Sequence, residues 1–262
     1  MITIRLLEET TDLSTPRRVM RYVLVYCSEG SVWMNIDEKD FILQAGDVIT
    51  ITSGQIHALQ TNSYTKGYIL EFTLDFFCKD DHDIELIFHN GLFCHFAMNE
   101  VIQVDRRITE MYLQAIQYEL VRQPYQYFVS IHSYIKLILV AINRAKVGRG
   151  DEIWKPDTLF LRFLEAVRNS FEHNYTVAQL AQQLGTTEIK LNELAKLHTG
   201  KTAQSVIYGL VTSEAKRLLT YEKLTIKEVA YKLGFNDPFY FSNFFKKQTQ
   251  ISPSQYKETY AL

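Results

Sequence analysis

The chain has 262 residues, of which 47% are apolar and 22% are charged, a composition typical of folded globular proteins and not of disordered ones. This length accommodates two ordinary domains and a linker. The net charge of −2 argues against strong nonspecific affinity for nucleic acid, although residues 1–150 carry −4 and residues 151–262 carry +2.

Targeting signals are not visible in the sequence. No apolar run reaches the 18 residues that would predict a membrane-spanning helix. The first twelve residues lack the cationic start and apolar core of a secretory signal. We therefore expect a cytoplasmic protein without a membrane partner.

The first hundred residues carry the pattern of short β-strands. Residues 31–37 alternate between apolar and polar side chains, which is the period of a half-buried strand. Turn residues follow at 37–40, 46–47 and 53–54, and a further alternating strand is predicted over residues 68–75. Strands that recur about every ten residues predict a small β-barrel or sandwich.

Two helices are predicted next, over residues 105–122 and 127–146, with Pro124 between them. Apolar residues at helical spacing form a stripe along the second helix: Ile131, Ile135, Ile138, Leu139 and Ile142. Periodicity alone leaves open whether this stripe packs on the barrel or contacts a second copy of the chain. Glycine, charge and Pro156 then predict a linker over residues 148–157.

A helix-turn-helix pattern occupies residues 225–256. Thr225 and Glu228 form a capping box at the start of a short helix, and Gly234 ends that helix with a positive φ. Asp237 and Pro238 then start a second helix. This arrangement is typical of proteins that read DNA.

The same pattern occurs earlier in the chain, at residues 176–206. A shift of 49 residues aligns Thr176 and Gly185 with Thr225 and Gly234, and after the glycine the shift becomes 50. An internal repeat of this size predicts a duplicated unit. Residues 212–219 lack glycine and proline and predict a rigid connecting helix, which would place the two units about 10 base pairs apart on DNA.

The two repeats, and KEVAYKLGFNDPFYFSNFFKKQTQISPSQY in the second, resemble the DNA-binding domain of the AraC/XylS family of bacterial transcription regulators over residues 157–260. Residues 46–57, GDVITITSGQIH, resemble a hairpin of the cupin barrel that serves as the sensor of the same family. The resemblance implies binding to double-stranded DNA, a small-molecule effector in the barrel, a homodimer formed by the helix pair, and RNA polymerase as a further partner.

We therefore predict an α+β protein with a cupin-like barrel and a double helix-turn-helix domain. Its segments are a sensor barrel at 1–100, a helical dimerisation element at 101–147, a linker at 148–157 and a DNA-binding domain at 158–262, with units at about 174–208 and 223–258.

The cupin resemblance does not extend to the metal site of cupin enzymes, which needs a closely spaced histidine pair, a downstream carboxylate and a further histidine. Val32, Met34 and Ile36 lie where ligands would be expected, and His57 stands alone. We therefore predict no metal, no cofactor and no catalytic residue, which argues against a cupin-type enzyme fused to a DNA-binding tail.

Candidate contacts with DNA fall into two groups. Residues expected to read bases lie in the first turns of the second helix of each unit: Thr187, Ile189, Asn192, Glu193, Phe239, Tyr240, Ser242 and Asn243. Cations expected to contact phosphates are Lys190, Lys216, Arg217, Lys246 and Lys247.

Candidate effector contacts are aromatic, aliphatic or imidazole side chains of the predicted strands: Tyr22, Tyr26, Met34, His57, Tyr68 and Phe72. A lining of this kind suits a modest organic ligand such as a sugar or an aromatic compound. The same side chains could instead be core. A regulator controlled only by a protein partner, or by its own abundance, remains open as an alternative.

Overall fold

A computed structural model describes residues 2–9, 13–88, 91–93, 99–151 and 157–260. The chain divides into two compact units, Met1–Lys155 and Pro156–Leu262. The division falls within the predicted linker, whose residues 152–156 lie outside the described ranges.

The N-terminal unit contains two antiparallel β-sheets. The five-stranded sheet has the order β1-β8-β3-β6-β9, from β1 (Ile2–Leu6), β3 (Tyr22–Glu29), β6 (Asp47–Ile51), β8 (Lys66–Phe72) and β9 (Ile102–Gln103). The four-stranded sheet has the order β2-β7-β4-β5, from β2 (Arg17–Arg18), β4 (Ser31–Ile36), β5 (Lys39–Gln44) and β7 (Ile56–Thr61).

The inner faces of the two sheets enclose an apolar core. Val32, Met34 and Ile36 of β4 are fully buried in it, while the alternate residues of the strand are partly exposed, which confirms the predicted period of two. The predicted turn after β4 is also present, with positive φ at Asp37 and Glu38. Two left-handed residues give the tight turn that suits the twist of a hairpin.

The strand predicted over residues 68–75 is shorter than expected and ends at Phe72. Thr73 accounts for the difference, because its hydroxyl accepts a hydrogen bond from the Phe76 N–H at 3.3 Å and starts the short helix α1 (Leu74–Phe77). A further helix, α2 (Asp81–Phe88), follows it.

The predicted helix pair is confirmed as α3 (Arg106–Arg122) and α4 (Tyr127–Gly148). The stripe of isoleucines on α4 is buried, and Lys136 and His132 on the same helix contact the buried carboxylate of Asp83 on α2 at 2.5 and 3.0 Å. Among the described helices, α4 is the one whose length and mean hydropathy of 1.2 would suffice to cross a membrane. Core helices of folded domains meet the same criteria.

The described part of the C-terminal unit is entirely helical. It comprises α5 (Thr158–Arg168), a 3-10 turn at Phe171–His173, α6 (Val177–Gln183), α7 (Glu188–Thr199), α8 (Ala203–Tyr221), α9 (Ile226–Lys232), α10 (Pro238–Thr249) and α11 (Pro253–Tyr260). The pairs α6–α7 and α9–α10 are the two predicted helix-turn-helix units. The predicted connecting helix is the second half of α8, whose 19 residues span about 28 Å.

The capping residues lie where the sequence predicts them. Thr225 and Glu228 form the capping box of α9, and Asp237 caps α10 with Pro238 at its first turn. The first unit has the same device, because Thr176 and Gln179 form a capping box at α6. Both helix-turn-helix units therefore begin with a capping box, as the repeat in the sequence predicts.

Candidate nucleic-acid interface and candidate effector site

The second helix of each repeat buries the same positions. Leu191 and Ala195 of α7 are fully buried, and so are their counterparts fifty residues later, Phe241 and Phe245 of α10. Because these positions face the core, the residues on the opposite side of the first two turns are presented to solvent. The repeat in the sequence is thus also a repeat in surface geometry.

Three positions in each unit form this exposed face, which we call the reading face. It consists of Ile189, Lys190 and Glu193 on α7 and of Phe239, Tyr240 and Asn243 on α10. Ile189 and Phe239 are 73% and 67% exposed, although apolar residues of this size are usually buried. Phe239 and Tyr240 therefore do not pack between helices. Lys190, predicted as a phosphate contact, is the counterpart of Tyr240 on this face.

The remaining predicted base readers use their side chains within the unit. Asn192 Oδ1 accepts a hydrogen bond from the Ala203 N–H at 3.1 Å, at the start of α8, and Nδ2 donates to the Glu188 carbonyl at 3.0 Å. Its counterpart Ser242 donates to the Pro238 carbonyl at 2.8 Å. Thr187 caps α7 by accepting from the Lys190 N–H at 3.2 Å. These three side chains are bonded within the protein and lie off the reading face.

The predicted phosphate contacts also separate by placement. Lys190, Lys246 and Lys247 are exposed. Lys216 lies with its ammonium 5.5 Å from the centre of the Tyr256 ring. The side chain of Arg217 is only 15% exposed and pairs with the buried carboxylate of Glu214 at 3.5 Å. Arg217 therefore has a structural environment that the sequence did not reveal.

The residues predicted to contact an effector lie in two places, the outer face of the five-stranded sheet and the inner face of the four-stranded sheet. Tyr22 and Phe72 are cross-strand partners on the outer face, as are Tyr26 and Tyr68. The Tyr22 ring packs on the Phe72 and Phe93 rings, and the Tyr26 hydroxyl donates to Glu110 of α3 at 3.0 Å. Burial raises the pKa of Tyr26. These four residues join the sheet to the segments that cover it.

Met34 and His57, in contrast, lie on the inner face of the four-stranded sheet. The register pairs Met34 with Leu59, and both belong to the core between the sheets, while His57 lies two residues before Leu59 and so points the same way. The six predicted residues therefore do not line a single cavity.

His57 is 1% exposed, and its Nε2 atom has no hydrogen-bond partner among the described residues. Its Nδ1 atom lies 3.4 Å from the Gln55 carbonyl oxygen. Burial, followed by the charge of Arg17, lowers the pKa of His57 to about 4, so the ring is neutral at pH 7. Within the described ranges, no three His, Cys, Asp or Glu side chains are grouped to hold a metal ion.

A β-sheet unit followed by two helix-turn-helix motifs that share a connecting helix defines a two-domain transcription regulator that binds DNA. Family models agree for both parts: an AraC-like ligand binding domain matches residues 4–123 and a helix-turn-helix domain matches residues 180–259. The chain belongs to the AraC family of transcription regulators.

Two curated relatives and one solved structure illustrate the similarity. An uncharacterised helix-turn-helix regulator from Pseudoalteromonas carrageenovora is 32% identical over 119 residues, which is 45% of this chain and 70% of that protein. The transcriptional activator RhaR of Salmonella dublin is 30% identical over 101 residues, 38% of this chain and 36% of RhaR. The structure of ToxT from Vibrio cholerae O395 aligns over 98% of this chain and 96% of its own, with 12% identity and a TM-score of 0.44. The chain thus spans about a third of the length of RhaR.

Proposed function

We propose that this regulator recognises a DNA site with both repeats, reading two base-pair blocks about one helical turn apart, and that an organic effector bound by its N-terminal unit controls this activity. The observation that carries the DNA proposal is the reading face, which recurs on α7 and α10 at matching positions with its apolar residues exposed. A helix presents such a face to the major groove, where each base pair has its own pattern of donors and acceptors.

The two halves of the reading face differ in chemistry. On α7, Ile189 suits a thymine methyl group and Glu193 can accept a hydrogen bond from cytosine N4. On α10, Asn243 can bond bidentately to adenine, and Phe239 offers a second apolar contact. Lys190 supplies a cation at the edge of the first half. The two blocks of the site are therefore expected to differ in sequence.

Dimerisation through the helical element is the second part of the proposal. Ile108, Met111, Tyr118 and Val121 of α3 are 41–75% exposed, and spacings of three, seven and three residues keep them on one face. The buried stripe of α4 packs within the unit, so this α3 face is the better candidate for a second copy. Met111→Lys should convert the dimer to a monomer in sedimentation experiments. His82→Lys, at an exposed position outside α3, should leave the dimer intact.

Control by an effector is supported by the match to a ligand-binding domain. A ligand changes DNA binding only if it prefers one arrangement of the regulator over another. In this proposal the protein acts in the cytoplasm, with RNA polymerase as a further partner of the DNA complex. Control by a protein partner or by abundance remains the alternative, and a regulator of that kind would show no effector-dependent change in DNA affinity.

Selection of random duplex DNA by the full-length protein tests the proposal. Two enriched blocks about 10 base pairs apart would support reading by both repeats. A single block would assign reading to one repeat and make the other a scaffold. No enrichment, with and without RNA polymerase, would contradict sequence-specific reading by this chain.

Matched variants assign the blocks to the repeats. Glu193→Ala should relax the base preference in one block and Asn243→Ala in the other, each by about 1–3 kcal/mol. Lys247→Ala, in the last turn of α10, should weaken binding to all sequences alike. Loss of preference in the same block for both Glu193→Ala and Asn243→Ala would contradict the two-block arrangement.

A further inference from the structure

Three arginines converge on one carboxylate between the two sheets. Glu71 of β8 is buried, and it pairs with Arg5 of β1, with Arg17 of β2 and with Arg21, which precedes β3. The Arg17 guanidinium lies 3.2 Å from Glu71 Oε1, and Arg5 donates a hydrogen bond to the same oxygen. The Arg21 guanidinium lies 3.4 Å from the other oxygen, Oε2. We call these four residues the arginine cluster.

The strand register explains why these side chains meet. Arg17 is the cross-strand partner of His57, so both point from the four-stranded sheet towards the inner space. Glu71 lies two residues after Ile69, a core residue, and therefore points into the same space from the other sheet. The arginine cluster and His57 thus lie together where the apolar core ends.

Among the described residues the charge of the cluster is unbalanced, because Arg5 and Arg17 both contact the single carboxylate of Glu71. Each guanidinium has five N–H donors in a fixed planar fork, and each of these two makes its contact to the same Glu71 oxygen. The side chains of Arg5, Arg17 and Arg21 are 38%, 28% and 29% exposed, so the cluster can be reached from solvent. Such forks match carboxylate and phosphate oxygens.

His57 provides an independent observation. Buried polar atoms are nearly always hydrogen-bonded, yet His57 Nε2 has no partner in the described part of the chain. Since the Gln55 carbonyl can only accept, the proton of the neutral ring lies on Nδ1, and Nε2 is an acceptor. A hydroxyl group of a ligand held beside Arg17 would supply the missing donor.

We propose that the arginine cluster binds the acid group of a hydroxy-acid effector, with a hydroxyl of that effector donating to His57 Nε2. This inference rests on the proposed function, because it names the ligand class of the N-terminal unit. Glu71 holds the arginines in place in the absence of effector and competes with the acid group for them. Removal of the Glu71 charge should therefore strengthen effector binding, which a purely structural ion pair would not do.

Thermal unfolding of the full-length protein, at pH 7.5 and constant ionic strength, tests this with glycolate as the probe. Glycolate carries the acid and the hydroxyl alone, and glycolamide is its uncharged counterpart. We expect glycolate to raise the unfolding temperature saturably, by about 3 °C at high occupancy, and glycolamide to leave it unchanged. Glu71→Gln should tighten the apparent glycolate affinity about tenfold, a change of about 1.4 kcal/mol.

Arg17→Gln should abolish the glycolate effect, and Arg5→Gln carries the same expectation if the first variant does not fold. Arg107→Gln, exposed on α3, should respond like the unsubstituted protein. Two results would overturn the proposal. One is that glycolate and chloride raise the unfolding temperature equally, both in the unsubstituted protein and in Glu71→Gln. The other is that glycolate raises the unfolding temperature of Arg17→Gln as much as that of the unsubstituted protein. DNA selection separates the two proposals, since an enriched site without glycolate binding removes only the hydroxy-acid inference.

Discussion

Gly234 lies so close to the backbone of Glu172 that a β-carbon on residue 234 would stand 2.5 Å from the Glu172 carbonyl oxygen. The turn of the second helix-turn-helix unit is thereby seated on the 3-10 turn at Phe171–His173. Its counterpart in the first unit, Gly185, has a similar φ of +64°, but apart from its chain neighbours no atom of the described residues lies within 4 Å of the corresponding β-carbon position. The two glycines share a backbone conformation and differ in packing.

This pair predicts unequal costs for the same substitution. Gly185→Ala should lower the free energy of unfolding by about 1 kcal/mol, the cost of a left-handed non-glycine residue. Gly234→Ala should lower it by about 3 kcal/mol or more, because the backbone at residue 172 must also move. Urea unfolding followed by helical circular dichroism would measure both. Equal losses would show that the close approach to Glu172 is not restrictive.

A second prediction concerns Asn192, whose amide caps the start of α8. Asn192→Ala should lower the free energy of unfolding by about 1 kcal/mol, since the Ala203 N–H loses its acceptor. Glu193→Ala, at the exposed neighbouring position, should leave stability unchanged and alter base preference. If Asn192→Ala changed base preference with no loss of stability, Asn192 would be a base-reading residue and not a cap.

The neutral state of His57 predicts a pH dependence. Its folded-state pKa of about 4 lies below the ordinary value of 6.5, so between these values the unfolded chain binds a proton that the folded chain does not. The contribution of His57 to the free energy of unfolding is therefore fully present above pH 6.5 and is lost as the pH decreases towards 4. This residue alone should account for about 2 kcal/mol of the loss between pH 7 and pH 5.

The measurement is urea unfolding at pH 7 and pH 5. His57→Gln should lose about 2 kcal/mol less over this interval than the unsubstituted protein. His82→Gln serves as the control, because its imidazole side chain is 91% exposed, and it should lose as much as the unsubstituted protein. An unaltered pH dependence in His57→Gln would show that another group is responsible.

Arg217 and Lys190 carry the same charge, but we expect Arg217 to affect the stability of the protein and Lys190 to affect its affinity for DNA. Arg217→Gln removes one ion-pair partner of buried Glu214 and should destabilise the C-terminal unit by about 1 kcal/mol, with little change in the salt dependence of DNA binding. Lys190→Gln should leave stability unchanged and reduce the slope of log affinity against log salt by about 1 if the lysine contacts phosphate. The opposite pattern would make Arg217 the phosphate contact.

The periodic and capped elements could be predicted from the sequence because their signals are local. The capping box at Thr225, the turn at Gly234 and the stripe on α4 each lie within a few residues of the structure that they specify. The helix α5 was missed although its signals are present, since Asp157 caps it and Phe160, Leu161 and Leu164 have helical spacing. The predicted linker ends at residue 157, and no helix is predicted between it and the first repeat.

The faces of the sheet could not be assigned in the same way. The residues of β3 from Tyr22 to Cys27 are all buried, so the strand shows no alternation between apolar and polar residues. Sequence reasoning therefore grouped outward-facing Tyr22 with inward-facing Met34. The arginine cluster was invisible for a different reason, because Arg5 and Glu71 are 66 residues apart and meet only through the pairing of β1 with β8.

The helix α8 contributes to both repeats, because Ala203 at its start is held by Asn192 while Leu218 and Leu219 at its end lie in the core of the second unit. The two halves of the reading face, which differ in composition, are thereby held in a fixed order by one helix. If both halves read DNA as proposed, a DNA segment that satisfies them cannot have the same sequence in both orientations. Under that proposal each bound protomer would have a direction on the chromosome, and inverting its target would turn the protomer to face the other neighbouring gene.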